Sequence, residues 1–233
     1  NSAYETNALA TEIKPPMKKE FVDKLVRAFK EGSKYPSLSI EQPGATIELA
    51  YEIQQLFVAE LQTEKAGYKA AVTSEPIQQI MSIKAPVSGV LFSSGEFQAN
   101  STIDDSKDLL IETELGFQTN IDITKPVEPA KVYTLFECYY PMIEIASPNL
   151  EGKPNGVDLI ASNSASFGFI KGDRIGFDTT DPDSVVASLN RGNDELHSAN
   201  CSSVMGGQSI ALAWLINQIL CREPLIPSNS LLM

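Results

Sequence analysis

Apolar residues recur at helical spacing in two segments near the start of the chain. The first segment follows Pro15 and Pro16, ends at Gly32, and carries the apolar positions Met17, Phe21, Val22, Leu25, Val26 and Phe29. The second ends before Gly67, and the side chains that share its face are Ile47, Ala50, Tyr51, Gln54, Phe57, Val58 and Leu61. This spacing puts the side chains on one helix face, and glycine commonly follows a helix end. We therefore predict two amphipathic N-terminal helices.

From Tyr68 onward the pattern changes to short β-prone runs separated by turn residues. We predict strands at residues 69–73, 89–92, 109–119, 132–138, 142–146, 166–170 and 185–189. One more helical pattern covers about residues 209–221 and ends before Pro224. The predicted fold class is α+β, with a mainly β body between N-terminal helices and one C-terminal helix. We divide it into a helical region, 1–67, and a body, 68–233, or one compact domain containing both.

Charge and composition indicate which partners the chain does not bind. The 233 residues include 30 acidic and 18 basic side chains, a net charge of −12, and no run of Lys or Arg forms a stripe that could neutralise a phosphate backbone. The longest apolar candidate, 210–220, is interrupted by Asn217 and Gln218, and it is shorter than the roughly 20 residues that cross a bilayer. We therefore expect neither nucleic acid nor a membrane as partner.

Cysteine usage bears on the compartment. The three cysteines, Cys138, Cys201 and Cys221, are widely spaced and lack metal-type spacing. This usage favours a reducing, cytoplasmic environment. Because the chain begins at Asn1, a removed N-terminal signal segment is the open alternative.

Two acidic side chains alternate along the predicted strand 109–119. A strand places Glu112 and Glu114 on one face, with Ile111, Thr113, Leu115 and Phe117 on the other. Two carboxylates about 4 Å apart repel by roughly 4 kcal/mol at an effective dielectric near 20. A buried face that holds both therefore needs a proton or a cation, and an all-oxygen cluster suits Mg²⁺ or Mn²⁺. The alternative is a strand with one solvated face, on which alternating charges are ordinary.

A third acid, Glu144, lies in the apolar run 139–146. An isolated acid in apolar surroundings needs a partner, so Glu144 is a candidate third ligand. The alternative is a satisfied charge at a strand end.

Several short motifs resemble one enzyme family in order and spacing. Residues 112–117 resemble its Glu-x-Glu-x-x-Phe metal motif, and 141–145 resemble its Pro-x-x-Glu-Ile strand. Further similar segments are 35–39 with 50–54 (Pro-Leu-Ser and Ala-Tyr-x-x-Gln), 67–74 (Gly-x-Lys-x-Gly-x-Thr-Ser), 163–168 (Asp-Asn-Ala-Ser-x-Gly) and 211–215 (Ala-Leu-Ala-Trp-Leu). The family is that of the 2-keto-4-pentenoate hydratases and 2-oxohexenedioate decarboxylases, in the fumarylacetoacetate hydrolase superfamily.

The resemblance implies a fold, a cofactor and a site. The body would be a β-roll or sandwich, the chain would form homo-oligomers, and Glu112, Glu114 and Glu144 would bind Mg²⁺ or Mn²⁺. The substrate would be a small unsaturated 2-oxo or 2-hydroxy acid. Lys69 and Ser166 would be catalytic residues, and Gln54 and Ser166 would contact the substrate. The implied reaction is addition of water to a 2-hydroxydienoate or 2-oxo-enoate through an enolate-like intermediate.

Three departures from the family pattern keep other functions open. Val87 stands where hydratases often carry an acid, Asn163 stands where the family often has Asp, and the chain stops at Met233 before the Gly-rich strands that usually follow. The alternatives are a 2-oxo acid decarboxylase of the same family and a non-catalytic descendant that binds metal or acid. Hydrolysis of a C–C bond is disfavoured, because the hydrolase branch of the superfamily relies on a histidine in its N-terminal active-site region. No histidine occurs there in this chain, and His197, the one histidine, lies in what we predict to be a polar loop.

Overall fold

The computed structural model describes residues 15–104 and 108–233. Its helices are α1 (Pro15–Glu31), α2 (Leu38–Glu41), α3 (Ile47–Leu61), α4 (Glu75–Ile80), α5 (Gly156–Ala161) and α6 (Gln208–Leu220). The two N-terminal helices predicted from spacing are α1 and α3, and the C-terminal one is α6, so these three predictions are confirmed. Within the described ranges, no helix is long and apolar enough to cross a membrane.

Local sequence explains the bounds and the buried face of α3. The helix begins after Thr46, whose side chain accepts a hydrogen bond from the Leu49 amide at 3.2 Å. This cap satisfies one of the free amides of the first turn. The helix ends at Gln62, which adopts a left-handed conformation with φ 50°. Its inner face packs with Leu25 of α1, and fully burying such a leucine contributes about 1.5–3 kcal/mol.

A curled seven-stranded sheet forms the body, in the order β2-β1-β9-β4-β5-β6-β3. Its strands are β1 (Lys65–Ala71), β2 (Val87–Phe92), β3 (Glu96–Phe97), β4 (Leu110–Thr119), β5 (Phe136–Ala146), β6 (Ser166–Lys171) and β9 (Leu231–Leu232). A separate hairpin consists of β7 (Val186–Arg191) and β8 (Asp194–Asn200). The β1–β9 and β3–β6 pairs are parallel, and the other pairs in the sheet are antiparallel.

Two apolar clusters hold the elements together. In one, α6 packs against residues of β1, β4 and β5, among them Tyr68, Phe117 and Tyr139. In the other, α1 and α3 pack with Val87 of β2 and Ala146 of β5. The N-terminal helices therefore share a core with the sheet. The division into regions 1–67 and 68–233 stays a prediction.

Several elements differ from the sequence-based expectations. Residues 132–135, predicted as strand, lie in a 3-10 helix, Pro129–Leu135. The strand β5 then runs unbroken to Ala146, because Pro141 is solvent-exposed and the pairing with β6 begins only at Met142. His197, predicted to lie in a loop, lies on β8 opposite Leu189. The two-residue strand β9 is not predicted, because so short a run carries no periodicity.

Candidate active site

Strand pairing brings the three glutamates together. Glu112 and Glu114 alternate along β4, and the antiparallel register with β5 sets Glu112 directly opposite Glu144. One carboxylate oxygen from each residue lies within 4.8 Å of those of the other two. Glu144 is buried, Glu114 is half-buried and Glu112 is exposed, so the cluster opens to solvent on one side.

Lys69 completes the cluster from β1. Its ammonium nitrogen contacts Oε1 of Glu144, and the two residues are only 1% and 2% exposed. The strand β9 lies between β1 and β4 in the sheet and so sets the position of Lys69 relative to the glutamates. Removing one partner of such a buried ion pair typically costs about 3–5 kcal/mol, because the other charge is left uncompensated.

The charges of the cluster do not balance. Three carboxylates and one ammonium leave an excess of two negative charges when all are ionised. Burial, together with the charges of Glu144 and Glu112, raises the pKa of Glu114 to about 8, while Lys69 opposes the shift. Burial also raises the pKa of Glu144, and contact with Lys69 opposes that rise. A divalent cation would supply the missing two charges, and oxygen-only donors suit Mg²⁺, Mn²⁺ or Ca²⁺. The donor set therefore fits the expected metal.

The cluster lies at one side of a cavity of about 350 Å³. Lys69, Glu112 and Glu114 contribute its charged lining. Hydroxyl groups come from Thr73, Ser74 and Ser164, and apolar side chains that complete the walls include Leu115, Phe117, Leu159, Leu212 and Leu215. A mainly apolar cavity with a few convergent polar groups is typical of a site for a small organic ligand.

Unusual backbone conformations occur in two segments of the cavity wall. Val72 has φ 56°, and the consecutive residues Asn163, Ser164 and Ala165 have φ 70°, 53° and 59°. Such left-handed conformations cost of order 1–3 kcal/mol each outside glycine and cluster at functional sites. The Asn163 side chain stabilises this turn, since its amide oxygen accepts from Val90 N at 2.7 Å and its amide nitrogen donates to Val90 O at 2.9 Å.

Two of the residues proposed from the resemblance lie away from the lining. The Gln54 amide donates to the carbonyl oxygens of Ser88 at 3.0 Å and Ile160 at 2.9 Å. The Ser166 hydroxyl donates to Val90 O at 2.8 Å. The structure thus brings Lys69 and the three glutamates together but not Gln54 or Ser166.

The position of Val87 and the hydroxyls of the wall were not anticipated from the sequence. Val87 is 2% exposed and packs in the apolar cluster with α1 and α3, so its side chain does not line the cavity. Ser164, which does line it, donates its hydroxyl to Ser88 O at 2.8 Å. The sequence signal for Ser164 is its place beside Asn163 in the 163–168 motif, but the resemblance implies a role for Ser166 instead.

Comparisons of sequence agree with this geometry. No protein-family model matches the chain. The chain is 27% identical over 219 residues to 2-hydroxyhexa-2,4-dienoate hydratase of Comamonas testosteroni, covering 86% of this chain and 81% of the relative. It is 28% identical over 216 residues to 2-oxo-hept-4-ene-1,7-dioate hydratase of Escherichia coli, with 84% and 79% covered.

Solved structures share the architecture. The 4-oxalocrotonate decarboxylase of Pseudomonas putida G7, complexed with magnesium and adipate, matches with a TM-score of 0.88 at 18% identity, over 95% of this chain and 88% of that one. Fumarylpyruvate hydrolase of Pseudomonas aeruginosa, in complex with Mn²⁺ and pyruvate, matches with a TM-score of 0.51 at 11% identity, over 73% and 76%. The chain therefore has the fold of the fumarylacetoacetate hydrolase superfamily, and its resemblance to the hydratases and decarboxylases of that superfamily is confirmed.

Proposed function

We propose that this chain is an Mg²⁺- or Mn²⁺-dependent hydro-lyase that adds water to a small 2-hydroxydienoate or 2-oxo-enoate acid. The observation that carries the proposal is the convergence of Glu112, Glu114, Glu144 and Lys69 beside a mainly apolar cavity. The similarity to two curated hydratases of unsaturated acids supports the reaction class.

The three glutamates would hold the ion, with one oxygen available from each. When bound, a divalent ion supplies a Lewis acid that polarises a carboxylate and an adjacent carbonyl oxygen. The neighbouring walls, from residues such as Leu115 and Leu212, exclude bulk water from the conjugated chain of the substrate.

Lys69 is the proposed proton carrier. Its ammonium group is held by Glu144 and lines the same cavity as Glu112 and Glu114. The ammonium can therefore give a proton to a substrate bound beside the glutamates, and the amine that remains can take a proton back. We assign Ser166 and Gln54 a positioning role, since both donate hydrogen bonds to carbonyl oxygens of β2, those of Val90 and Ser88. That role replaces the substrate contacts inferred from the resemblance.

The direct test is metal-dependent turnover of 2-hydroxyhexa-2,4-dienoate, followed by loss of dienoate absorbance. We expect turnover with Mg²⁺ or Mn²⁺, loss of turnover after chelation, and no release of CO₂. Absence of turnover with either ion, for this acid and for 2-oxo-hept-4-ene-1,7-dioate, would contradict the proposal. Metal-dependent binding of these acids without turnover would instead support the non-catalytic alternative.

Decarboxylation is the second candidate, and one observation favours it. Among the described cavity-lining residues, the carboxylates and the ammonium all belong to the glutamate–lysine cluster. Hydration needs a group that directs water, whereas loss of CO₂ needs only acceptance of the released electron pair. Release of CO₂ from a 2-oxo-enedioate in proportion to substrate loss would select this alternative.

We also propose, from the resemblance alone, that the chain forms a homo-oligomer. Light scattering coupled to size-exclusion chromatography tests this, and a monomeric mass at micromolar concentration would contradict it.

A further inference from the structure

We infer that the cavity selects an unsaturated 2-oxo acid with one carboxylate and an uncharged tail over the dicarboxylic acid of the same length. The inference rests on the proposed function and specifies its substrate class. Sequence similarity does not decide the matter, since one relative is named for a monocarboxylate and the other for a dicarboxylate at nearly equal identity, 27% and 28%.

The first step is the charge available for a substrate carboxylate. With a divalent ion bound, the three ionised glutamates would contribute three negative charges, and Lys69 and the ion would contribute three positive charges, so that the sum would be zero. One substrate carboxylate can bind at the ion and add a single negative charge. Lys69 gives little further compensation, because its ammonium already contacts Glu144.

The second step is the rest of the wall. Away from β4 and β1, the lining comes from α4, α5 and α6 and includes the apolar side chains of Ile77, Leu159, Ala211, Leu212 and Leu215. Among the residues that the structure describes in this lining, Lys69 is the one cationic side chain.

The remaining polar groups of the wall are uncharged. They are the hydroxyls of Thr73, Ser74 and Ser164 and the amide of Gln208, and that amide already donates to Cys201 O at 2.7 Å. Such groups can accept or donate a hydrogen bond but cannot neutralise a second carboxylate. A carboxylate that loses its water beside apolar side chains without a cation is strongly disfavoured. An uncharged alkyl or alkenyl tail, by contrast, gains from burial against the same side chains.

The experiment compares two six-carbon acids that differ only in the distal group, 2-oxohexanoate and 2-oxoadipate. Titration calorimetry with the full chain in Mg²⁺ should show that 2-oxohexanoate binds more tightly than 2-oxoadipate, by about tenfold or more. A factor of this size corresponds to the cost of placing one partly solvated charge in the cavity. Equal or tighter binding of 2-oxoadipate overturns the inference. Failure of both acids to bind overturns it as well.

A matched pair of variants places a charge on the apolar wall. Ile77 lines the cavity on α4 and is 41% exposed, so a polar side chain there does not disturb the core. Ile77→Lys should reduce the preference for 2-oxohexanoate by about tenfold, whereas Ile77→Gln, of similar size and no charge, should leave the ratio within about twofold. An equal change of ratio in both variants contradicts a charge-based selection.

Turnover separates this inference from the proposed function. Hydration of 2-oxo-hept-4-ene-1,7-dioate in preference to 2-hydroxyhexa-2,4-dienoate would leave the hydratase proposal standing and overturn the selection. Preferential Mg²⁺-dependent binding of 2-oxohexanoate without any turnover would support the inferred substrate selection and contradict the proposed hydratase activity.

Discussion

The molecule buries carboxylates in two different ways. Asp158 on α5 is 1% exposed and accepts hydrogen bonds from four uncharged donors. These are Ser37 Oγ at 2.5 Å, Ser39 N at 2.7 Å, Ser39 Oγ at 2.8 Å and Asn155 Nδ2 at 2.6 Å. Ser37 and Ser39 thereby connect the start of α2 to α5. This carboxylate is satisfied by the fold itself.

Glu144 is buried to the same degree but has different neighbours. It is 2% exposed, contacts the Lys69 ammonium, and faces the carboxylates of Glu112 and Glu114. Hydrogen bonds from neutral groups stabilise a single buried charge, but they do not relieve repulsion among three. The contrast teaches that burial of an acid is not by itself a functional signal, whereas an unbalanced cluster of acids is.

The largest effect is expected for Lys69→Met. Among the residues that the structure describes, Lys69 is the only one that places an ammonium group at the glutamate cluster. If Lys69 carries the proton, kcat should fall about 10² to 10⁴-fold, the usual scale for a general acid–base group. Steady-state assay of the dienoate in Mg²⁺ measures the change. The metal-free variant should also unfold at lower urea concentration, because Glu144 loses its partner.

Lys65→Met is the matched control for that variant. Lys65 lies on the same strand, but its ion pair with Glu223 at 2.9 Å is exposed, with side chains 38% and 29% accessible. Exposed pairs contribute about 0–1 kcal/mol. A loss of activity in Lys65→Met equal to that in Lys69→Met would remove Lys69 from the mechanism.

Added metal should stabilise the protein through the glutamate cluster but not through Asp158. Binding of Mg²⁺ or Mn²⁺ to the folded state stabilises it by RT ln(1 + [L]/Kd), about 2.7 kcal/mol at one hundred times Kd. Glu114→Gln should abolish most of that increase in melting temperature. Without metal the variant should be no less stable than wild type, because glutamine is neutral and avoids the cost of protonating Glu114 on folding. Equal destabilisation with and without metal would identify Glu114 as a structural acid.

Asp158→Asn tests the other side of the comparison. The substitution keeps the shape of the side chain but replaces one carboxylate oxygen by an amide nitrogen. This nitrogen is a donor, and it would face the groups that donate to Asp158. The free energy of unfolding should therefore fall by about 2 kcal/mol. Urea denaturation measures this loss. The loss should be the same with and without Mg²⁺, so a metal-dependent difference would show that the two sites are coupled.

The last prediction concerns the pH dependence of stability in the metal-free protein. The pKa of Glu114 is about 8 in the folded chain against an ordinary 4.5, so between these values the folded state holds a proton that the unfolded state has released. Stability should therefore fall as pH rises from 4.5 to 8, and this contribution should be constant above pH 8. This loss should be absent in Glu114→Gln, which has no titrating group at that position. If stability rose across this pH window in wild type but not in the variant, the pKa of Glu114 would be lowered by folding and not raised.

The parts of the site that depend on local pattern could be predicted from the sequence. Alternation along 109–119 places Glu112 and Glu114 on one face of a strand, and the observed β4 has those residues at alternating positions. The helices α1, α3 and α6 follow from apolar spacing in the same way. In each case the information lies within a few residues of the element itself.

The remainder depends on contacts between distant segments. The register that sets Glu112 opposite Glu144 and the curl that brings Lys69 to Glu144 arise from strand pairing, which no local pattern specifies. Gln54 and Ser166 were assigned from motifs, and a motif does not tell whether a polar side chain faces a cavity or a neighbouring carbonyl. The β8 strand was missed because its residues are mostly exposed and lack alternation.

The two-residue strand β9 has a consequence for how the site is assembled during folding. It pairs with β1 through Gly67 and Tyr68 and with β4 through Phe117 and Gln118, so it joins the strand of Lys69 to the strand of Glu112 and Glu114. During synthesis on the ribosome, both outer strands emerge long before Leu231 and Leu232. A nascent chain could therefore form helices and the β4–β5 hairpin early, but it would acquire its lysine–glutamate geometry only at a late, slow step of long-range pairing.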